Sequence, residues 1–203
     1  MKNKIKDKTF LYCIFRPILC FLFKILFHPK FYGRENIPKK GRVILAGTHT
    51  SNFDCFLLGS STKRPVHFLA KDELWRGFGK FIFGNMGLIP VNRRQKDPNA
   101  LKLAEEYLNN ECLIGIFPEG TTEKEYEVML PFKIGAVKMA KDTNTTIVPF
   151  AIKGKYKIFG KSVKIKYGKP IRIKGDLDKE NDHLKEIVST MKNLSSASVG
   201  QYE

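Results

Sequence analysis

Short apolar runs, separated by polar loops and by longer amphipathic stretches, dominate residues 43–151. The runs occupy residues 43–46, 65–70, 113–116 and 147–151. Runs that are short and nearly continuous in apolar residues are typical of strands buried on both faces, as in the parallel sheets of α/β proteins. The pattern therefore predicts an α/β domain with a mixed, mostly parallel central sheet flanked by helices.

Four further stretches are predicted to form the flanking helices. They cover residues 71–83, a segment that begins at Asp97 and Pro98, residues 131–141 and residues 177–194. Asp97 is a suitable N-cap, and Pro98 suits the first helical turn because its missing N–H would have no partner there. The first of these stretches carries an aromatic face, which fits either the core or an apolar binding surface.

The first thirty residues join alternating lysines to a long apolar segment. Residues 10–27 are apolar except for Arg16, Pro17 and Lys24. Two cations and a proline argue against a simple membrane-spanning helix, and no cleavage site typical of a signal peptide follows. We expect residues 1–30 to form a helical anchor in the membrane interface, with the lysines at anionic head groups. The alternative is a helix that covers the core of the domain.

The length of 203 residues fits one folded domain, which we expect to span residues 31–194. The Ser-rich end, residues 195–203, is predicted to be disordered. The four cysteines show no C-x-x-C spacing. That pattern fits buried thiols in a reducing compartment and does not support a zinc site.

An excess of basic residues favours anionic partners. Lysine and arginine total 36 against 20 acids, a formal net charge of +16, which leaves nucleic acid, an anionic membrane face and acidic small substrates open. No RNA-recognition, zinc-finger or phosphate-loop motif is present, so we do not expect nucleic acid to bind. Residues 153–174 contain many basic residues and no acid, and lysines alternate with apolar residues in 162–167. This spacing predicts a strand with one basic face, which either faces a membrane or is solvated.

His49 and Asp54 are the first candidates for chemistry. His49 follows the buried run 43–46, at the edge of the sheet where α/β proteins place their sites. Asp54 opens the next apolar helix, for which Ser51 or Asn52 is a suitable N-cap. A carboxylate that accepts from Nδ1–H fixes the imidazole tautomer and leaves Nε2 free to accept a proton. The pair therefore predicts a general base, and the alternative is a structural histidine.

Three more blocks follow in order. Gly87, Ile89 and Arg93 form G-x-I-x-x-x-R; residues 117–121 read F-P-E-G-T; and Val148 with Pro149 lies inside an apolar run. Together with H-x-x-x-x-D at His49 and Asp54, these blocks resemble the glycerolipid acyltransferase family, typified by the bacterial 1-acylglycerol-3-phosphate acyltransferases. Four ordered blocks across about a hundred residues are far more specific than any one of them alone.

The resemblance implies acyl transfer from a thioester to an alcohol, by direct attack of the acceptor hydroxyl. In the family pattern His49 is the base and Asp54 orients it. Other roles also follow from the resemblance. Glu119, Gly120 and Thr121 belong to the acceptor-binding block, and Arg93 and Lys71 bind the acceptor phosphate. The alternative for Arg93 and for Lys71 is a surface cation.

One position departs from the family pattern. Many members carry an arginine directly after F-P-E-G-T, whereas this chain has Thr122. Lys71, Arg94, Lys124 or Lys133 would have to supply the missing cation. Lysophosphatidate is the expected acceptor, with glycerol 3-phosphate, another lysophospholipid or an amino-alcohol lipid as alternatives.

The implied partners are an acyl-carrier-protein or coenzyme A thioester as donor, a lysophospholipid as acceptor, and an anionic membrane surface. No cofactor or metal is expected, because the thioester is already activated. The expected location is the cytoplasmic face of the cell membrane, with peripheral or monotopic attachment. A basic domain that only binds membranes or nucleic acid is the non-enzymatic alternative.

Overall fold

The computed structural model describes residues 10–77, 79–92, 97–121, 129–160 and 163–197. Its strands are β1 (Lys30–Tyr32), β2 (Val43–Gly47), β3 (Val66–Lys71), β4 (Ile89–Val91), β5 (Leu113–Ile116), β6 (Thr146–Lys153), β7 (Lys164–Tyr167) and β8 (Ile171–Arg172). Its α-helices are α1 (Phe10–Phe27), α2 (Asp54–Ser61), α3 (Gly79–Asn85), α4 (Pro98–Asn109), α5 (Gly135–Asp142) and α6 (Leu177–Ala197). Two short 3₁₀ turns occupy Arg34–Asn36 and Asp72–Trp75.

The strands form one mixed, mostly parallel sheet in the order β1-β7-β6-β2-β5-β3-β4, with β8 beside β6. β2 lies at the centre and pairs in parallel with β5 and β6. The antiparallel pairs join β6 to β7 and to β8. The predicted fold class is confirmed. Because β2, β5 and β6 are parallel, the loops that follow them meet at one edge of the sheet.

Alternate residues of β2 face two separate cores, as the period of two in a strand requires. Ile44 and Ala46 pack with helices α4, α5 and α6. Val43 and Leu45 pack on the opposite face with α1 and α2. All five residues of the strand are buried, which explains its unbroken apolar sequence.

Helix α1 packs one face on the domain and leaves the other face exposed. Tyr12, Phe23 and Phe27 are buried. The exposed large apolar side chains of the helix are Ile14, Phe15, Ile18, Leu19, Phe21, Leu22 and Ile25. Within the described residues, no helix has both the length and the apolarity needed to cross a bilayer. The helix thus covers part of the core while presenting an apolar surface outwards.

The contacts of Arg16 explain why this apolar helix contains a cation. Its guanidinium donates to the carbonyl oxygens of Gly59, Thr62 and Lys63, at the end of α2. Carbonyls in the last turn of a helix have no partner within the helix, and a cation there also interacts favourably with the helix dipole. Arg16 therefore holds α1 against the domain.

Four boundaries differ from the sequence prediction. The stretch 71–83 is not one helix. Lys71 is the last residue of β3, and the backbone leaves the helical conformation at Gly77, whose φ is +54°. Residues 131–134 are not helical, since the amide of Lys133 donates to the carbonyl of Pro118 at 2.9 Å and α5 begins only at Gly135.

The other two differences concern helix ends. α6 ends at Ala197 rather than at residue 194, and its buried Leu184, Val188 and Met191 pack against the domain. The disorder predicted for the tail stays a prediction. Neither Ser51 nor Asn52 is the N-cap of α2, because Phe53 holds that position. The carboxylate of Asp54 instead accepts from the preceding backbone amides.

Candidate active site

The loop after β2 brings His49 to the edge of the sheet. Gly47 ends the strand, and a side chain there would collide with the carbonyl oxygen of Phe150 on β6. The hydroxyl of Thr48 then accepts from the amide of Ile152 at 2.8 Å. His49 follows and is buried, with 5 % of its surface exposed. Close backbone approach on β6 thus fixes where the imidazole lies.

Asp54 pairs with this imidazole. His49 Nδ1 lies 2.9 Å from Asp54 Oδ2, and Asp54 is fully buried. The same oxygen accepts from the amides of Thr50 at 2.6 Å and Ser51 at 2.9 Å. Since a carboxylate accepts, Nδ1 carries the proton and Nε2 is left as the ring acceptor. This is the tautomer that a general base requires.

Tyr156 holds the second oxygen of the same carboxylate. Its hydroxyl donates to Asp54 Oδ1 at 2.5 Å, and Thr50 Oγ1 lies 3.2 Å from that oxygen. Burial raises the pKa of Tyr156 above its ordinary value, and the adjacent Asp54 charge raises it further. The phenol therefore stays protonated and remains a donor to Asp54. Sequence reasoning missed this residue.

The F-P-E-G-T turn packs directly on the dyad. The Phe117 ring stacks on the His49 imidazole, with centroids 4.0 Å apart and planes 15° apart. Buried Glu119 accepts from the amide of His49 at 3.4 Å and from the amide of Leu130 at 3.1 Å. The motif glutamate thus ties the loop that carries His49 to the segment before α5.

Gly120 makes room for a lysine. Its φ is +73°, in the left-handed region, and a Cβ there would lie 2.8 Å from both Cε and Nζ of Lys133. The backbone conformation favours glycine at this point, and the absence of a Cβ leaves space for the end of the Lys133 side chain. The amine of Lys133 therefore lies beside the turn, and Lys133 also lines the cavity described next.

A cavity of about 960 Å³ opens beside His49. Its apolar wall contains Leu69, Val91, Leu101, Ile116, Phe117, Ile134 and Met139. Its polar and charged lining includes His49, Asn92, Asp97, Lys133 and Lys138. An apolar cavity that also has a few polar and charged groups in its lining suits a ligand with a long apolar part and a charged head.

The structure brings together only some of the predicted site residues. His49, Asp54, Glu119 and Gly120 lie together, although the carboxylate of Glu119 bonds to backbone amides. Lys71 is exposed at the end of β3, and Thr121 is exposed after the turn.

Arg93, Arg94, Thr122 and Lys124 lie outside the described residues. Their predicted or compensating roles stay predictions, as do the catalytic roles of the residues that are described. Within the described ranges, no group of three or more His, Cys, Asp or Glu side chains could hold a metal ion.

Known proteins give an independent comparison. The family model described as Acyltransferase matches residues 28–153. The chain is 36 % identical to a Borreliella burgdorferi protein over 64 % of this chain and 53 % of that protein. It is 32 % identical to a Bacillus subtilis protein over 62 % of each. Both relatives are named 1-acyl-sn-glycerol-3-phosphate acyltransferase. The chain thus spans less than two thirds of the length of these relatives.

A solved structure agrees with these sequence matches. The crystal structure of the 1-acyl-sn-glycerophosphate (LPA) acyltransferase PlsC from Thermotoga maritima superposes with a TM-score of 0.69 at 25 % identity. The match covers 86 % of this chain and 73 % of that chain. Since the family model covers more than half of the residues, and the buried dyad lies within the matched range, this chain belongs to the acyltransferase family.

Proposed function

We propose that this protein transfers a fatty acyl group from an acyl thioester to the sn-2 hydroxyl of lysophosphatidate, and so forms phosphatidate. The names of the relatives support this acceptor. The observation that carries the reaction is the 2.9 Å contact between His49 Nδ1 and Asp54 Oδ2, beside an apolar cavity.

The chemistry follows from the tautomer of His49. Nε2 takes the proton of the acceptor hydroxyl while the hydroxyl oxygen attacks the carbonyl carbon of the thioester. The tetrahedral intermediate then collapses, the C–S bond breaks, and the leaving thiolate takes the proton from the imidazolium. Asp54 stabilises the imidazolium during these steps. No covalent acyl-enzyme is needed.

The cavity supports a division of the ligand into two parts. The apolar wall suits an acyl chain, since burial of each methylene contributes about 0.8 kcal/mol. Lys133, which lies beside Gly120 and lines the same cavity as His49, supplies a cation for the acceptor phosphate. Because Thr122 stands where many family members have arginine, Lys133 is the best described candidate for this role.

We further propose that the enzyme works at the cytoplasmic face of the cell membrane. The exposed apolar face of α1 supports attachment in the interface, and the net charge of +16 supports an anionic surface. An acyl-carrier-protein or coenzyme A thioester would serve as donor.

An acceptor panel tests the reaction. Purified protein is given each donor with lysophosphatidate, glycerol 3-phosphate, other lysophospholipids and an amino-alcohol lipid. His49→Ala should lower the transfer rate by about 10²–10⁴-fold, the usual contribution of a general base. His183→Ala, a change at an exposed histidine of α6, is the matched control. A near-normal rate for His49→Ala would overturn the assignment.

Lys133→Met tests the phosphate site. We expect KM for lysophosphatidate to rise about tenfold or more, with little change for an uncharged acceptor, because only the phosphate loses its cation. Lys179→Met, on the exposed surface of α6, is the control. An unchanged KM would assign the phosphate to another cation.

A further inference from the structure

An apolar turn projects from the active-site edge of the sheet. We call residues 154–160, between β6 and β7, the tip segment. Its Ile158 and Phe159 are 67 % and 70 % exposed, the highest values for large apolar side chains among the described residues. Neither side chain contributes to the cores described above. Their apolar character therefore calls for an explanation other than folding.

The backbone of the tip segment makes the choice of Phe159 more unusual. The amide of Gly160 donates to the carbonyl of Lys157 at 2.8 Å, which closes a tight turn. Within that turn Phe159 has a φ of +57°, a conformation that glycine adopts freely and bulky residues rarely do. A glycine would suit the turn better, so the exposed ring is kept at a cost to local stability.

The tip segment also contacts the end of α1. The amide of Phe159 donates to the carbonyl of Leu26 at 2.5 Å, in the last turn of that helix. The exposed side chains of α1 run from Ile14 to Ile25. The tip segment thus lies at the end of the helix whose exposed face we propose for membrane attachment.

Charge identifies the kind of partner. Lys155 and Lys157 are exposed on either side of Tyr156, and residues 153–174 contain no acid. An apolar tip flanked by lysines matches an anionic bilayer. The apolar side chains enter the acyl region there, while the ammonium groups stay with the lipid phosphates. Each such lysine contributes about fivefold to the partition coefficient, by conversion of the usual free energy near an anionic surface.

The same segment lies next to the catalytic dyad. β6 is parallel to β2, so the loops after both strands leave the same edge of the sheet. Tyr156, inside the tip segment, donates to Asp54, and its ring packs on Phe23, Phe27 and Phe53. Insertion of the tip would therefore turn the edge that carries His49 towards the lipid.

We propose that the tip segment inserts Ile158 and Phe159 into an anionic bilayer and seats the active-site edge of the sheet on it. This inference rests on the proposed function, because it gives the enzyme a second lipid contact besides α1. It is tested by vesicle binding without donor or acceptor, so its failure would leave the acyl-transfer proposal standing.

Tryptophan fluorescence measures insertion directly. Trp75 is the single tryptophan of the chain, so Phe159→Trp is made in a Trp75→Phe background. With vesicles of phosphatidylcholine and phosphatidylglycerol, we expect a blue shift and strong quenching by brominated acyl chains. Leu194→Trp, at a 52 % exposed position of α6, is the matched control and should show neither change. Equal signals at the two positions would overturn the proposal.

A second variant separates lipid binding from folding. Ile158→Ser with Phe159→Gly removes the apolar tip and places glycine at the left-handed position, so thermal stability should be kept. We expect the partition coefficient for the same vesicles to fall about tenfold or more. Unchanged partition in this folded variant would refute the role of the tip.

The contact of the flanking lysines with lipid head groups is tested separately. Lys157→Gln should reduce binding to anionic vesicles about fivefold and leave binding to neutral vesicles unchanged. Lys179→Gln, on α6, is the control and should affect neither. Equal losses on both kinds of vesicle would contradict a head-group contact.

Discussion

At the scale of single residues, the carboxylate of Asp54 organises the site. One oxygen accepts from His49 and from two backbone amides, while the other accepts from Tyr156. Sequence spacing was sufficient to pair His49 with Asp54, because five residues bridge a strand end and a helix start. Tyr156 lies 102 residues away from Asp54, and only the parallel pairing of β6 with β2 brings the two together.

Tyr156→Phe tests this contact. The variant keeps the ring in its aromatic surroundings but leaves Asp54 with one donor fewer. A carboxylate with fewer donors stabilises an imidazolium more strongly. We therefore expect the acidic limb of the pH profile of kcat/KM to move to higher pH. The measurement is acyl transfer across the pH range.

Tyr167→Phe is the matched control, since that buried tyrosine donates to Ser61 rather than to the dyad. Its pH profile should keep the position of the wild-type profile even if its stability falls. A profile that moves equally in both variants would mean that Tyr156 acts only through packing.

At the scale of elements, the attachment of α1 to α2 links the exposed apolar surface to the active site. Tyr12 accepts from the amide of Val66 near one end of α1, and Phe27 packs on Phe53 near the other. The sequence predicted either a membrane anchor or a helix that covers the core. The exposed apolar face of α1 fits the first prediction, and its packed face fits the second. Only the packed face follows from the structure, and the membrane role of the other face is our proposal.

Arg16→Met tests this attachment. The variant removes the donors to three carbonyls at the end of α2 while keeping an unbranched side chain. Hydrogen bonds from a charged group contribute about 1.5–3 kcal/mol, so we expect a lower melting temperature and faster proteolysis within residues 10–27. Lys24→Met, which removes an exposed charge from the same helix, should have little effect. A similar fall in melting temperature in both variants would show that α1 is stabilised by its positive charge and not by hydrogen bonds to the end of α2.

Strands were easier to predict than the breaks between elements. The strands β2, β5 and β6 are visible in the sequence because both of their faces are buried. The late start of α5 could not be predicted, since it depends on the contact between Lys133 and Pro118 across the site. Strand order was equally hidden, because local patterns carry no information about which strands become neighbours.

At the scale of the whole molecule, a buried histidine makes stability depend on pH. His67 on β3 is 3 % exposed, and its Nδ1 lies 2.7 Å from the carbonyl oxygen of Gly87. Burial lowers the pKa of His67 from the usual 6.5 to about 4.

We expect the free energy of unfolding to decrease as the pH falls from 6.5 to 4. Across this window the unfolded chain binds a proton at His67 and the folded chain does not, so acid favours unfolding. The loss in the free energy of unfolding is absent above pH 6.5 and reaches about 3 kcal/mol at pH 4. Urea unfolding at pH 7.5 and pH 5 measures the part of this loss that is complete by pH 5, about 2 kcal/mol.

His67→Gln removes the titrating group and keeps a donor for Gly87. The difference in stability between the two pH values should then shrink, even if the variant is less stable at both. An undiminished difference would assign the acid sensitivity to other groups.

The pairing of β1 with β7 also constrains how the chain is made. Lys30 and Tyr32 pair with Lys164 and Lys166, so the first strand has no neighbour until synthesis has passed most of the chain. Tyr156, which α1 contacts through Phe23 and Phe27, also leaves the ribosome late. During translation, α1 therefore emerges as an apolar segment well before the domain that will cover its inner face. Early capture of this segment, by a lipid surface or by a chaperone, would protect the nascent chain from aggregation.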